Sequence, residues 1–150
     1  MQKYMLDTNI ILHYLRGKEK YEQIESDLHL LDGKTLPMIS VVSVAEIQGF
    51  IQRNNWGEPK KNRLRKLLTK LFILDIASQD KDLIETYAIL ANYSRNALPG
   101  KPLGKSVGIQ NNDIWIAATA KVANAIVVTT DSDFDHLNKT YLTVMKYSAE

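Results

Sequence analysis

The chain has 150 residues, 45% of them apolar and 24% charged, with a formal net charge of +2 and no cysteine. That length and composition favour a single domain over residues 1–150 with a sizeable core, and they exclude disulfides, thiolate nucleophiles and zinc–thiolate sites. No apolar run approaches the ~18 residues that span a bilayer, and the short apolar stretch at the N-terminus is broken by Asp7, so neither membrane insertion nor a signal peptide is expected and a cytoplasmic location fits.

Taken in chain order, Tyr4, Met5 and Leu6 read as a buried strand, and Ile10, Ile11, Tyr14 and Leu15 mark the helix after it. A second helix is expected over about 19–31, ended by Gly33. The β-branched run at 38–42 predicts the next strand, and residues 44–52 return to a helical pattern. Residues 54–59, Asn-Asn-Trp-Gly-Glu-Pro, form a loop by their turn residues. Leu64, Leu67, Leu68 and Leu71 then fall at i, i+3, i+4 and i+7, one stripe of a helix. Lys60, Lys61, Arg63, Arg65, Lys66 and Lys70 lie mostly off that stripe, as a basic face that either attracts phosphates or is simply solvated. A third strand is expected at 72–76 and a helix at 79–93. Pro99, Gly100, Pro102, Gly104 and Gly108 make 96–108 a long flexible loop. Residues 114–122 are apolar nearly all round, a buried helix, and 125–129 and 142–146 supply two more strands.

Strands alternating with helices imply an α/β fold, a three-layer α/β/α sandwich on a mainly parallel five-stranded sheet. Ligands in such folds gather beyond the carboxyl ends of the strands, which directs attention to the acids there. Asp7 directly follows the first strand. Glu46 follows the second, although Ser43-Val44-Ala45-Glu46 also has the capping-box pattern, with Ser43 as N-cap. Asp113 opens the buried helix, where Asn112 is an equally good cap, and Asp131 follows the fourth strand. Each acid alone is explained by capping or a turn. Together they would repel one another in a partly dehydrated cleft unless a multivalent cation neutralised them. Oxygen ligands with no histidine beside them suit Mg2+ or Mn2+, one or two ions.

The segments Met5-Leu6-Asp7-Thr8-Asn9, Ile39-Ser40 through Ala45-Glu46, Asn112-Asp113-Ile114-Trp115-Ile116-Ala117-Ala118-Thr119-Ala120 and Val128-Thr129-Thr130-Asp131-Ser132-Asp133-Phe134 occur in that order. In these pieces the sequence resembles a PIN domain, and within that family the VapC-type toxin ribonucleases of toxin–antitoxin pairs. The resemblance implies that Asp7, Glu46, Asp113 and Asp131 are the metal-binding catalytic acids, with Thr8, Asn9, Ser43 and Asn112 in support. Thr130 is a further helper by its place beside Asp131. Asp133 competes with Asp131, because in an extended segment the two would point to opposite sides. The implied reaction is hydrolysis of RNA to a 5′-phosphate and a 3′-hydroxyl. The implied partners are a small antitoxin that wraps the protein and blocks the cleft, and a second copy of the chain in a homodimer. The loop before Asp113 is longer than the compact turn usual in the family.

Arg16, Lys18, Lys101 and Lys105 are candidate RNA contacts, with solubility the plainer role for the two loop lysines. His13, His29 and His136 match no metal-ligand spacing, although His13 lies one turn into the first helix and could approach the cleft. Trp56 either stacks on a base or packs on its own domain, and packing is the expectation. An inactive, RNA-binding PIN-like domain is the main alternative. A receiver-like signalling domain needs an acidic pair at the first strand and a lysine after the fifth, and a dehalogenase-type phosphatase needs an acid where Asn9 stands.

Overall fold

The computed structural model describes residues 1–149. Its elements run β1 (Lys3–Leu6), α1 (Thr8–Arg16), α2 (Glu19–Leu28), β2 (Leu36–Ser40), α3 (Val41–Asn54), α4 (Glu58–Leu68), β3 (Phe72–Leu74), α5 (Lys81–Ser94), α6 (Asn111–Ala123), β4 (Ile126–Thr129), a 3-10 turn (Ser132–Leu137) and β5 (Val144–Lys146). The strands form one five-stranded sheet in the order β3-β2-β1-β4-β5, and every pairing is parallel.

Strand side chains alternate between the two faces of the sheet, and each face has its own core. Tyr4, Leu6, Ile39 and Val128 pack with Ile10 and Ile11 of α1, Ile24 of α2, Ile47 of α3 and Leu64 of α4. Met5, Met38 and Val127 turn the other way, onto Leu83 and Leu90 of α5 and Ile114, Ala117 and Ala118 of α6. The three-layer sandwich expected from the alternation of elements is therefore the fold. The chain builds outward from β1 to β2 and β3, then returns to place β4 on the other side of β1. That reversal opens a crevice at the carboxyl ends of β1 and β4.

Several boundaries differ from the sequence expectations, for identifiable reasons. The strand expected at 38–42 stops at Ser40, whose side chain accepts the Val42 N–H at 3.1 Å and caps α3. Val41 and Val42 are thus helical despite their β preference, because a cap and the packing of α3 override propensity. The helix α2 ends at Leu28 rather than near residue 31, with His29 left-handed at φ 53°. From within α2 the Glu25 side chain reaches forward to accept the Leu31 N–H at 3.0 Å. The strand expected at 72–76 is only Phe72–Leu74, on the sheet edge. The proline- and glycine-rich loop is pinned, not slack: Asn96 Oδ1 accepts the Leu103 and Gly104 amides at 2.8 and 3.2 Å, and the Val107 amide donates to the Ser94 carbonyl at 2.7 Å. Trp56 is buried, with the Lys60 ammonium 3.9 Å from its ring centroid, so it packs on its own domain as expected.

Candidate metal centre

Asp7 is the first residue beyond the central strand. Its backbone amide still donates to the Val128 carbonyl at 2.9 Å, continuing the β1–β4 ladder, while its side chain caps α1 by accepting the Thr8 N–H at 2.8 Å. The second carboxylate oxygen accepts the Thr129 hydroxyl at 2.7 Å. Both oxygens are thereby fixed in a residue that is only 3% exposed.

Glu46 reaches the same place from α3. With Ser40 as the cap, the Ser43–Glu46 capping box does not form, and both side chains are free for tertiary contacts. Thr8 Oγ1 lies 2.9 Å from Glu46 Oε1 and 3.0 Å from Ser43 Oγ. A hydroxyl has one proton, so Thr8 can donate to the carboxylate while Ser43 donates back to Thr8. Thr8 thus links α1 to α3 through its side chain, and through its backbone it holds Asp7.

Asp113 sits in the first turn of α6, whose N-cap is Gln110. Asp131 caps the 3-10 turn, its side chain accepting the Asp133 N–H at 2.9 Å. That curl removes the choice posed by an extended segment. Asp131 and Asp133 do not point to opposite sides: each offers a carboxylate oxygen that lies, with one from Asp113, in a group spanning no more than 4.8 Å. The turn is held from behind by fully buried Phe134, by Ser94 Oγ 2.7 Å from His136 Nε2, and by the Lys146 ammonium donating to Asp135 at 2.7 Å.

Asp7, Thr8, Asn9, Glu46, Phe50, Gln110, Asp113, Asp131 and Asp133 line one cleft of about 190 Å³. Five are acids and none is a cation. Burial pushes the Asp113 carboxyl up to about 7, with further upward pressure from Asp7, Glu46, Asp131 and Asp133. Burial likewise raises Asp7 to about 6, opposed by the bonds from Thr129 and Thr8 and reinforced by Glu46 and Asp131. Asp133 is raised by burial and by Asp131. The folded chain therefore concentrates negative charge that its own residues leave unneutralised. All-carboxylate ligation within a few ångströms fits a hard divalent cation.

Two expected helpers fall elsewhere. The threonine that serves Asp131 is Thr129 rather than Thr130: its oxygen accepts the Asp131 N–H at 2.9 Å while its hydroxyl donates to Asp7. One hydroxyl thus ties together the acids after β1 and β4. The signal available in the sequence was strand parity: extending the Leu6–Val128 pairing by one residue sets Thr129, the end of β4, beside Asp7, the residue just past β1. Asn112 is exposed on α6 and does not line the cleft, because the helix begins at Asn111 and turns it outward. Gln110 and Phe50 do line it and were not anticipated. His13, Arg16 and Lys18 line a separate depression with Lys20 and Glu22. Lys101 and Lys105 are exposed on the loop, with Lys101 6.0 Å from the Tyr141 ring centroid.

The PIN domain family model matches residues 4–140. Ribonuclease VapC2 of Haemophilus influenzae (strain ATCC 51907 / DSM 11121 / KW20 / Rd) is 32% identical over 128 residues, covering 85% of this chain and 86% of that protein. Ribonuclease VapC1 of Haemophilus influenzae (strain R2866) is 29% identical over 126 residues, 84% of each. Among solved structures, VapBC2 from Rickettsia felis bound to a promoter DNA fragment superposes with a TM-score of 0.74 at 24% identity, over 98% of this chain and 100% of its counterpart. VapBC-1 from nontypeable Haemophilus influenzae gives 0.69 at 25% identity, over 97% and 98%. With the family model spanning the whole run from β1 to beyond the acidic turn, the chain belongs to the PIN domain family.

Proposed function

We propose that this protein is a divalent-metal-dependent endoribonuclease, acting as the toxin of a toxin–antitoxin pair, and that Asp7, Glu46, Asp113 and Asp131, with Asp133, form its active site. The observation that carries this reading is the convergence of these acids, from the ends of β1 and β4 and from α3 and α6, on one cleft without a cation. The ribonuclease names of its relatives support the nucleolytic activity, and their VapC designation supports an antitoxin partner. Cytoplasmic action fits this role.

Asp7, Glu46, Asp113 and Asp131, with Asp133 beside Asp131, would hold Mg2+ or Mn2+, one or two ions. When bound, such an ion supplies Lewis acidity to water and to the phosphoryl oxygens. The chain's own contribution is preorganisation. The Thr129 hydroxyl and the Thr8 amide aim the two oxygens of Asp7, and Thr8 aims Glu46. Asp7 and Glu46 both lie outside the tight oxygen triplet but line the same cleft, where their carboxylates complete the acidic set. The raised carboxyls of Asp7 and Asp113 lose their protons more readily once positive charge enters the cleft.

The test is incubation of purified protein with total RNA in Mg2+ or Mn2+, then with chelator. Cleavage that requires the metal and disappears in Asp7→Asn and Asp113→Asn is the expected result. Metal-independent cleavage, or full activity in both variants, would sink the mechanism. RNA binding without cleavage would favour the inactive PIN-like alternative. Growth arrest on expression, relieved by a co-expressed neighbouring gene product, tests the toxin role.

A further inference from the structure

The acidic cleft has a difficulty as a site for RNA, since a polyanion must approach side chains that carry no positive charge. One cation is attached to its wall. Glu46, Phe50 and Arg53 follow at i, i+4 and i+7 along α3, one face of the helix. The Phe50 side chain lines the cleft, and the Arg53 guanidinium carbon stands 4.9 Å from the centroid of its ring. Stacking on an aromatic face restrains a guanidinium while leaving its N–H groups open to a second partner. Arg53 is exposed, and among the described residues it has neither an ion pair nor a hydrogen bond. It is therefore not spent on neutralising the acids.

We propose that Arg53, held on Phe50, is a phosphate-binding subsite for single-stranded nucleic acid, gripping a phosphate adjacent to the one presented to the acids. Phe50 is the positioning residue and Arg53 the contact. A planar guanidinium suits the two unesterified oxygens of a phosphodiester, and one helix carries both this cation and the acid Glu46. Their fixed spacing along α3 selects a strand whose successive phosphates can reach both. The subsite rests on the nucleolytic reading of the cleft but is testable apart from it.

The experiment measures binding of a fluorescein-labelled single-stranded RNA of mixed sequence to the Asp113→Asn protein in Mg2+, across a salt series. Each phosphate contact to a single strand contributes a slope of about 0.7 in log affinity against log salt. Adding Arg53→Ala should weaken binding about tenfold, roughly 1.4 kcal/mol, and flatten the slope by about 0.7. Arg53→Lys should keep the slope, and Phe50→Leu should weaken binding less than Arg53→Ala, with Phe50→Tyr restoring it. In the cleaving protein, Arg53→Ala should act on KM more than on kcat. A salt slope unchanged in Arg53→Ala overturns the subsite, as does an absence of RNA binding in every arm. Failure of the unsubstituted protein to cleave RNA would instead count against the ribonuclease reading, whatever Arg53 does to binding.

Discussion

The protein carries two concentrations of charge, and they are built in opposite ways. The basic one is contiguous: Lys60, Lys61, Arg63, Arg65 and Lys66 lie within or beside two turns of α4. Its buried side is Leu64 and Leu67, and its outer pairs, Lys61–Glu58 at 3.7 Å and Arg65–Glu58 at 3.6 Å, are solvated. The acidic one is dispersed in sequence from Asp7 to Asp133, and is assembled only because β1 and β4 are neighbours and α3 and α6 begin beside them. Charge that is adjacent in sequence is free to spread into water. Charge gathered by a sheet cannot, and that is where burial shifts carboxyl titration toward neutrality.

Substitutions should separate the two regions sharply. Asp113→Asn or Asp7→Asn should lower RNA cleavage by about a thousandfold or more, in the range expected when a principal electrostatic element of an active site is removed, as measured by initial rates on labelled RNA. Thr129→Val, which deprives both Asp7 and the Asp131 amide of their partner, should cost about 10–100-fold in activity or metal affinity, with Thr129→Ser restoring most of it. Metal affinity by titration calorimetry is the direct measurement.

Stability should separate them as well. Asp7 and Asp113 titrate near 6 and 7 when folded, against 3.8 for the free side chain. Between about pH 4 and 7 the folded state therefore binds more protons than the unfolded state. The metal-free protein should lose stability as pH rises through that window. Mg2+ should remove the decline, and Asp7→Asn, which keeps an acceptor at the cap, should raise metal-free stability by about 1 kcal/mol, roughly 2–4 °C in Tm. A metal-free Tm that climbs from pH 5 to 7.5 would contradict the electrostatic account of the cleft. The smallest effect belongs to the basic face: Arg65→Ala, which breaks an exposed ion pair to Glu58 and an exposed hydrogen bond to Asn62, should move stability by less than about 0.5 kcal/mol and leave cleavage at the unsubstituted rate.

Much of this was legible in the sequence because it depends on periodicity. Strand and helix alternation implied the layered α/β class and drew attention to Asp7, Glu46 and Asp131 beyond strand ends and to Asp113 at the start of a buried helix, and the resemblance implied that these four act together. The resemblance to PIN domains rested on the same segments. What periodicity does not encode is the local bend of the chain at each strand end. Whether Ser40 or Ser43 caps α3, whether Thr129 or Thr130 serves Asp131, and whether Asp133 joins Asp131 or opposes it all turn on a difference of one to three residues in where an element starts. In a strand a shift of one residue reverses the side a side chain faces, and in a curled turn it brings alternate residues together. Arg53 illustrates the same limit: in the sequence it is one basic residue among many, and only the stacking on Phe50 attaches it to the acids. The sequence by itself determined which chemistry the site contains, since residue types and their order along the chain do not depend on folding. Tertiary structure alone decided which atoms meet, because contacts between β1, β4, α3 and α6 are set by sheet order, cap position and burial.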